Sequence, residues 1–179
     1  MNTQPIDALF DTTEVPGLGP EARSGIRSVE DVSQEVESVC RGIRLKGPEA
    51  VCLRALALVW QDHLDEAHGL VQDLSGPEAA WVHGIIHRRE PDYSNARYWF
   101  HRVGGHEALE SMADVAAPIL ASHAALPFRL IRDGRWDAFA FIDAVAASLR
   151  QGPQSADAAL LRILQAGEIG VLGRHLGGA

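Results

Sequence analysis

Residues Ser75 to Glu107 read SGPEAAWVHGIIHRREPDYSNARYWFHRVGGHE. Within this stretch fall Trp81 and Trp99, both tyrosines (Tyr93 and Tyr98), His83, His87, His101 and His106, and the arginines Arg88, Arg89, Arg97 and Arg102. Ser75 and Glu78 stand in the Ser-x-x-Glu spacing, where hydroxyl and carboxylate satisfy each other's unpaired helix-start amides, and Pro77 suits a first turn. The spacing predicts a helix from about Gly76 to Glu90, because Pro91 disfavours helical geometry in the residue before it. Asp92 can accept from the free amides of a new first turn, which predicts a second helix over roughly Asp92 to Val103, ended by Gly104 and Gly105. So short a connection folds the two helices back as a hairpin. On the first helix Ala80, His83, Gly84 and His87 share one face, and Trp81, Val82, Ile85 and Ile86 cover much of the rest, the pattern of a buried helix. On the second, Tyr93, Ala96, Phe100 and Val103 form an inward stripe, with Asn95, Trp99, Arg102 and His106 beside it. The small Gly84 and Ala96 are expected to let the two backbones approach closely.

The chain has 179 residues, 46% of them apolar, which suits one domain with a real core. Strand-like alternation is hard to find, and alanine, leucine and valine dominate, so the expected class is all-α, with about eight helices packed as antiparallel hairpins. A formal charge of −8 repels phosphate backbones and anionic lipid. Nucleic acid and membrane are therefore unexpected partners. The N-terminus shows no basic region followed by an apolar run, and no apolar span reaches the length of about 18 residues that a membrane helix needs. These features predict a cytoplasmic chain. Cys40 and Cys52, without a Cys-x-x-Cys spacing, read as buried thiols.

The central hairpin resembles the tetratricopeptide repeat. That family's first helix carries a small residue where Gly84 stands, its turn is similar to Pro91-Asp92-Tyr93, and its second helix carries alanine and a large apolar residue where Ala96 and Phe100 stand. The family's usual glycine before the turn acid is Pro91 here. The string HRREPDYSNARYW also resembles a family of uncharacterised bacterial and fungal proteins, a likeness that implies no activity. An upstream pair, PEAVCLRALALVWQDH followed by LDEAHGLVQDL, repeats the hairpin so that Ala55 aligns with Gly84, Leu64 with Tyr93, Ala67 with Ala96, Val71 with Phe100 and Leu74 with Val103. This offset is shorter than the family's period of about 34 residues.

Residues 1–27, rich in proline and glycine, are expected to form an irregular arm laid over the core, its first residues mobile, and 28–179 a single all-α domain. Ser28 with Asp31 starts a helix that Gly47-Pro48 ends. Downstream, EALESMADVAAPILASHAAL reads as a helix kinked or broken at Pro118. Gly134-Arg135-Trp136 is similar to the turn of another helical repeat. The segment WDAFAFIDAVAASLR forms a helix ended by Gly152-Pro153. Ser155 and ADAALLRILQA give a last helix, and the tail bearing Gly167, Gly170, Gly173, Gly177 and Gly178 is expected to fray or hug the surface.

His83 and His87, one turn apart, have the spacing of two zinc-ligating imidazoles, although His83 is followed by Gly84 and the zincin glutamate is missing. A third ligand would have to come from His101, His106 or a glutamate. The alternative is a pair of core histidines hydrogen-bonded to backbone or carboxylate. Arg88, Arg89, Arg97 and Arg102 either pair with Glu90, Asp92 and Glu107 to hold the turn, or form an anion clamp. The tetratricopeptide likeness implies the clamp, with Trp81, Ile85, Arg88 and Arg89 facing a concave groove. Tyr93, Tyr98, Trp99 and Phe100 read either as core bulk or as a recognition surface, Trp99 beside Asn95 and Arg102 being the one assigned to a site. No nucleophile elbow surrounds Ser94 or Ser111, and no glycine-rich phosphate loop follows a strand, so no cofactor is implied. The resulting expectation is a non-catalytic module that binds a protein, peptide or small anionic ligand through Trp81, His87, Arg88, Arg89, Asn95, Trp99 and Arg102. The competing readings are a metal-dependent enzyme centred on His83 and His87, and a structural module that forms homo-oligomers.

Overall fold

The Ser28 side chain accepts from the Asp31 amide and opens helix α1, Val29–Ile43. The helix closes on Arg44, which takes a left-handed conformation, rather than at Gly47-Pro48. The computed structural model describes residues 5–122, 126, 128–152, 155 and 157–178. The expectations for residues 1–4 and for Pro153 lie outside these. The described residues are all-α apart from one short hairpin: α2 Gly47–Trp60, α3 Leu64–Val71, α4 Pro77–Arg89, α5 Tyr93–Val103, α6 Ala108–Ala121, α7 Ala138–Gln151 and α8 Ala158–Leu176. No helix among them is long and apolar enough to cross a membrane.

The hairpin α4–α5 forms where the sequence predicts it, with the Asp92 carboxylate accepting from the Asn95 amide at 3.2 Å. The Ser75–Glu78 capping box does not form. Gly76, which has no side chain to accept, is the N-cap, so Ser75 and Glu78 fall out of register and the Glu78 carboxylate turns toward His106 and His175. The two hairpin turns are equivalent in hydrogen bonding: His63 N donates to Leu58 O at 3.0 Å, and Asp92 N to His87 O at 2.9 Å, each spanning five residues and lying 29 apart. Ala67 and Ala96, aligned by the same offset, are both fully buried. Phe100, the large apolar residue of the inward stripe, packs directly over Gly84. A β-carbon on Gly84 would stand 2.6 Å from the ring, so the absence of a side chain there is what seats Phe100.

Three expectations for the C-terminal half are corrected. Of the kink or break expected at Pro118, the break does not occur: α6 continues through this residue, which sits exposed in its last turn, where the carbonyl that the missing amide would have paired can face water. Gly134-Arg135-Trp136 belongs to a β-hairpin rather than a helical turn. Ile131–Arg132 (β1) pairs antiparallel with Arg135–Trp136 (β2) across Asp133 and Gly134, at φ 50° and 75°, the left-handed pair that a tight two-residue hairpin requires. The glycine-bearing tail is the second half of α8, and it is core. Glu168, Ile169, Val171, Leu172, Gly173 and Leu176 are buried there, and α8 packs against α2, α6 and α7.

The arm lies on α8 through its 3-10 turn, Asp7–Phe10. Ile6, Leu9 and Leu18 join the core, and a β-carbon on Gly173 would meet the Phe10 ring at 2.4 Å. Small residues along α8 thus leave the space that the arm's apolar side chains fill.

Candidate functional site

Helix α4 carries most of the residues expected in a site, and the structure divides them between core and seam. Trp81, Arg88 and Arg89 are fully buried, so they do not line a groove. The reason is visible in their partners. Arg88 Nη2 lies 2.5 Å from Glu168 Oε2 on α8, while Trp81 Nε1 donates to Glu168 Oε1 at 3.2 Å. The Arg88 guanidinium also stands over the Phe141 ring, 4.5 Å from its centre. Arg89 Nη2 meets Asp62 Oδ1 at 2.7 Å and donates to Gly19 O at 3.0 Å, and its Nη1 donates to Val59 O at 2.7 Å. Asp62 holds the arm with its other oxygen, which accepts from Arg23 Nε at 2.7 Å. Burial pushes the Asp62 carboxyl up, but the Arg23 and Arg89 bonds prevail and hold it below the usual carboxylate range. The two arginines are thus structural, paired with Glu168 and Asp62 rather than with Glu90, Asp92 or Glu107.

The remaining residues meet in a seam between α3, α4 and α5. His68, which the sequence reading left out, enters it from α3, with its ring centre 5.2 Å from His83 and 5.1 Å from His87. His83 stacks on Trp99 at 3.9 Å and 11°, and is 6.2 Å from His87. Hydrogen bonds assign both tautomers. His83 Nδ1 is 3.1 Å from Ala79 O, which can only accept, and His87 Nδ1 is 3.0 Å from Glu90 Oε2. Both rings therefore carry the proton on Nδ1 and leave Nε2 a lone pair, which on His87 accepts from Asn95 Nδ2 at 3.2 Å. Burial, with smaller contributions from neighbouring imidazoles, lowers His83 to about 4, and burial also lowers His87 against the opposing pull of Glu90. Both rings are neutral near pH 7. At the rim, exposed Arg102 stands 5.5 Å from the Trp99 ring centre and 5.8 Å from that of Tyr98, which is 52% exposed. Arg102 forms no ion pair among the described residues, whereas Arg97 pairs with Asp143.

His101 and His106 do not complete the His83–His87 pair. His101 packs on Phe139, 4.7 Å between ring centres. His106 joins a second group with Glu78 and His175, the one set of three among the described residues whose potential ligand atoms all lie within 4.8 Å of one another. The approaches are 3.4 Å from His106 Nε2 to Glu78 Oε1 and 3.7 Å from His175 Nε2 to the same oxygen. Glu78, His106 and His175 lie far apart in sequence, and no local spacing announces them. The two cysteines are free and buried. Burial, with Glu78 and Glu49 adding to it, pushes the Cys52 thiol up to about 12, which leaves it protonated and inert.

Fold and site together define an all-α protein of antiparallel helix hairpins with a histidine- and tryptophan-lined seam. No family model, curated protein or solved structure matches the chain.

Proposed function

We propose that the chain is a non-catalytic binding module whose ligand, anionic or peptide-like, lies along the exposed edge of α5 beside the histidine seam. The observation that carries this reading is Arg102: an exposed guanidinium with no ion pair among the described residues, set over the planes of Trp99 and Tyr98. A carboxylate can take a bidentate pair of bonds from such a group while the adjoining residue of the ligand stacks on the rings. Asn95, one turn back and anchored on His87, offers a planar amide beside them. The resemblance to the tetratricopeptide repeat supports a binding role, but with Trp81, Arg88 and Arg89 absorbed in the core, the binding surface moves to Asn95, Tyr98, Trp99 and Arg102. Fluorescence anisotropy with a panel of labelled peptides, each with a free or an amidated C-terminus, tests this. Free-acid peptides should bind better, and Arg102→Ala should weaken them at least roughly tenfold with little change in melting temperature, as expected for an exposed side chain. Equal binding by the variant, or no preference for the free acid, would refute it.

A second reading, a metal-dependent enzyme centred on His83 and His87, draws support from His68. His68 brings a third imidazole to within 5.2 Å of the His83 ring centre. His83 and His87 hold Nδ1–H against a carbonyl and a carboxylate, the tautomer that an Nε2 ligand needs, but the three rings would have to draw closer and Asn95 release His87 Nε2 for one ion to be shared. Such a site would leave a fourth position for an activated water. Elemental analysis of untagged protein, compared with His68→Ala, tests it.

A further inference from the structure

We infer that Glu78, His106 and His175 form a binding site for a divalent transition-metal ion, separate from the histidine seam. The three side chains come from the first turn of α4, the segment before α6 and the last turn of α8, and only the packed fold brings them together. Two imidazoles and one carboxylate make a donor set suited to zinc, iron, cobalt or nickel rather than to calcium or magnesium, which favour oxygen alone. Two ligands held about 2.1 Å from one ion at tetrahedral angles stand roughly 3.4 Å apart. The Glu78 oxygen is 3.4 and 3.7 Å from the two imidazole nitrogens, close to that spacing.

The surroundings support a metal seat. The His106 side chain is only 6% exposed, its carbonyl accepts from Arg135 Nη2 at 2.9 Å, and the Trp81 ring packs nearly perpendicular to it, 5.5 Å between ring centres. His175 Nδ1 faces the exposed Glu107 Oε1 at 3.8 Å, beyond hydrogen-bond reach, so that a small movement of this carboxylate would bring it to Nδ1–H once Nε2 is coordinated. His175 also lines a cleft of about 590 Å³ between α6 and α8, together with Glu107, Glu110, Ser111 and Asp114. Arg174 lines it too but pairs with Asp7, and Glu110 pairs with Arg135, so Glu107 and Asp114 leave the approach favourable to cations.

Without an ion, His106 Nδ1 accepts from the Ala108 amide at 3.1 Å, which leaves the ring proton on Nε2, directed at Glu78. Coordination through Nε2 moves that proton to Nδ1. The ring stays neutral, and the buried Ala108 amide gives up its bond to Nδ1, a cost that the metal–nitrogen bond has to exceed.

The test is a titration of the full-length untagged chain with cobalt(II), followed by its visible d–d absorption and by nuclear magnetic resonance of the histidine ring protons. One equivalent should bind, and substoichiometric cobalt should broaden the His106 and His175 signals before those of His68, His83 and His87. Glu78→Gln and His175→Ala should each weaken binding at least roughly tenfold, a loss reached in other sites even by second-layer changes, while half-buried His68→Ala leaves it unchanged. Failure of the wild-type chain to bind cobalt overturns the inference. So does broadening that begins at His68, His83 and His87, a result that would instead favour the metal reading of the seam. A loss of Arg102-dependent peptide binding bears on neither result.

Discussion

Arg88 and Arg89 are neighbours in the chain, yet one reaches α8 and the other the α2–α3 turn, because successive helix residues point about 100° apart. Each is 0% exposed and faces a carboxylate that is itself 0% exposed. In such a pair the cost of desolvating two charges nearly cancels their attraction, whereas removing one partner strands the other in the core. Arg88→Ala or Glu168→Ala alone should therefore cost about 3–5 kcal/mol in urea unfolding, while Arg88→Met combined with Glu168→Leu should recover most of it. Additive losses in the double variant would show that the charges contribute separately. Arg89 ties three pieces together, since its partner Asp62 also binds Arg23 and its own guanidinium donates to Gly19.

At the scale of elements, α8 and the arm depend on each other. The helix would be a poor one in isolation, carrying Gly167, Gly170 and Gly173 in its interior at a helix-propensity cost of about 1 kcal/mol each relative to alanine. Gly173 opens the surface against which Phe10 and Ile6 pack, while Gly167 lets Val115 and Met112 of α6 close in, and the arm is also held by Arg162 donating to Val15 O at 2.7 Å and Gln165 Nε2 to Gly17 O at 2.8 Å. Gly173→Ala should raise helix propensity and still destabilise the protein, because its β-carbon would collide with the Phe10 ring. The signature to measure is faster tryptic cleavage at Arg23 and Arg27 as the arm lifts. Cleavage at the wild-type rate would show that the ring simply moves aside.

For the molecule as a whole, the buried neutral histidines set its acid tolerance. His83 has a folded pKa of about 4 against 6.5 when unfolded, so between those values the unfolded chain takes up a proton that the folded chain refuses. Stability therefore falls as pH drops from about 6.5 toward 4, by on the order of 3 kcal/mol from His83, with His87 acting in the same direction. Asp62 belongs to a lower window: its depressed folded pKa contributes stability that is present above 3.8 and lost only below it. Melting curves from pH 7 to 4 should show the decline, and His83→Gln should flatten it. An unchanged slope in that variant would place the titration elsewhere.

The sequence alone determined the all-α class and the turn at Pro91-Asp92, because helical periodicity, an Asp cap and a proline act within a few residues. The Asp133-Gly134 turn is equally local, a dipeptide suited to two left-handed residues, but the likeness of Gly134-Arg135-Trp136 to a helical-repeat turn pointed the other way. Packing decided the rest. Arg88 meets Glu168 across 80 residues and His106 meets His175 across 69, and His68 reaches the seam only because α3 lies against α4. A charged residue near the end of a helix looks the same in sequence whether it ends in water or in the core. Which of the two it meets depends on what the other helices leave uncovered, and the glycine-bearing C-terminal segment became the central helix only because the arm and three other helices closed around it.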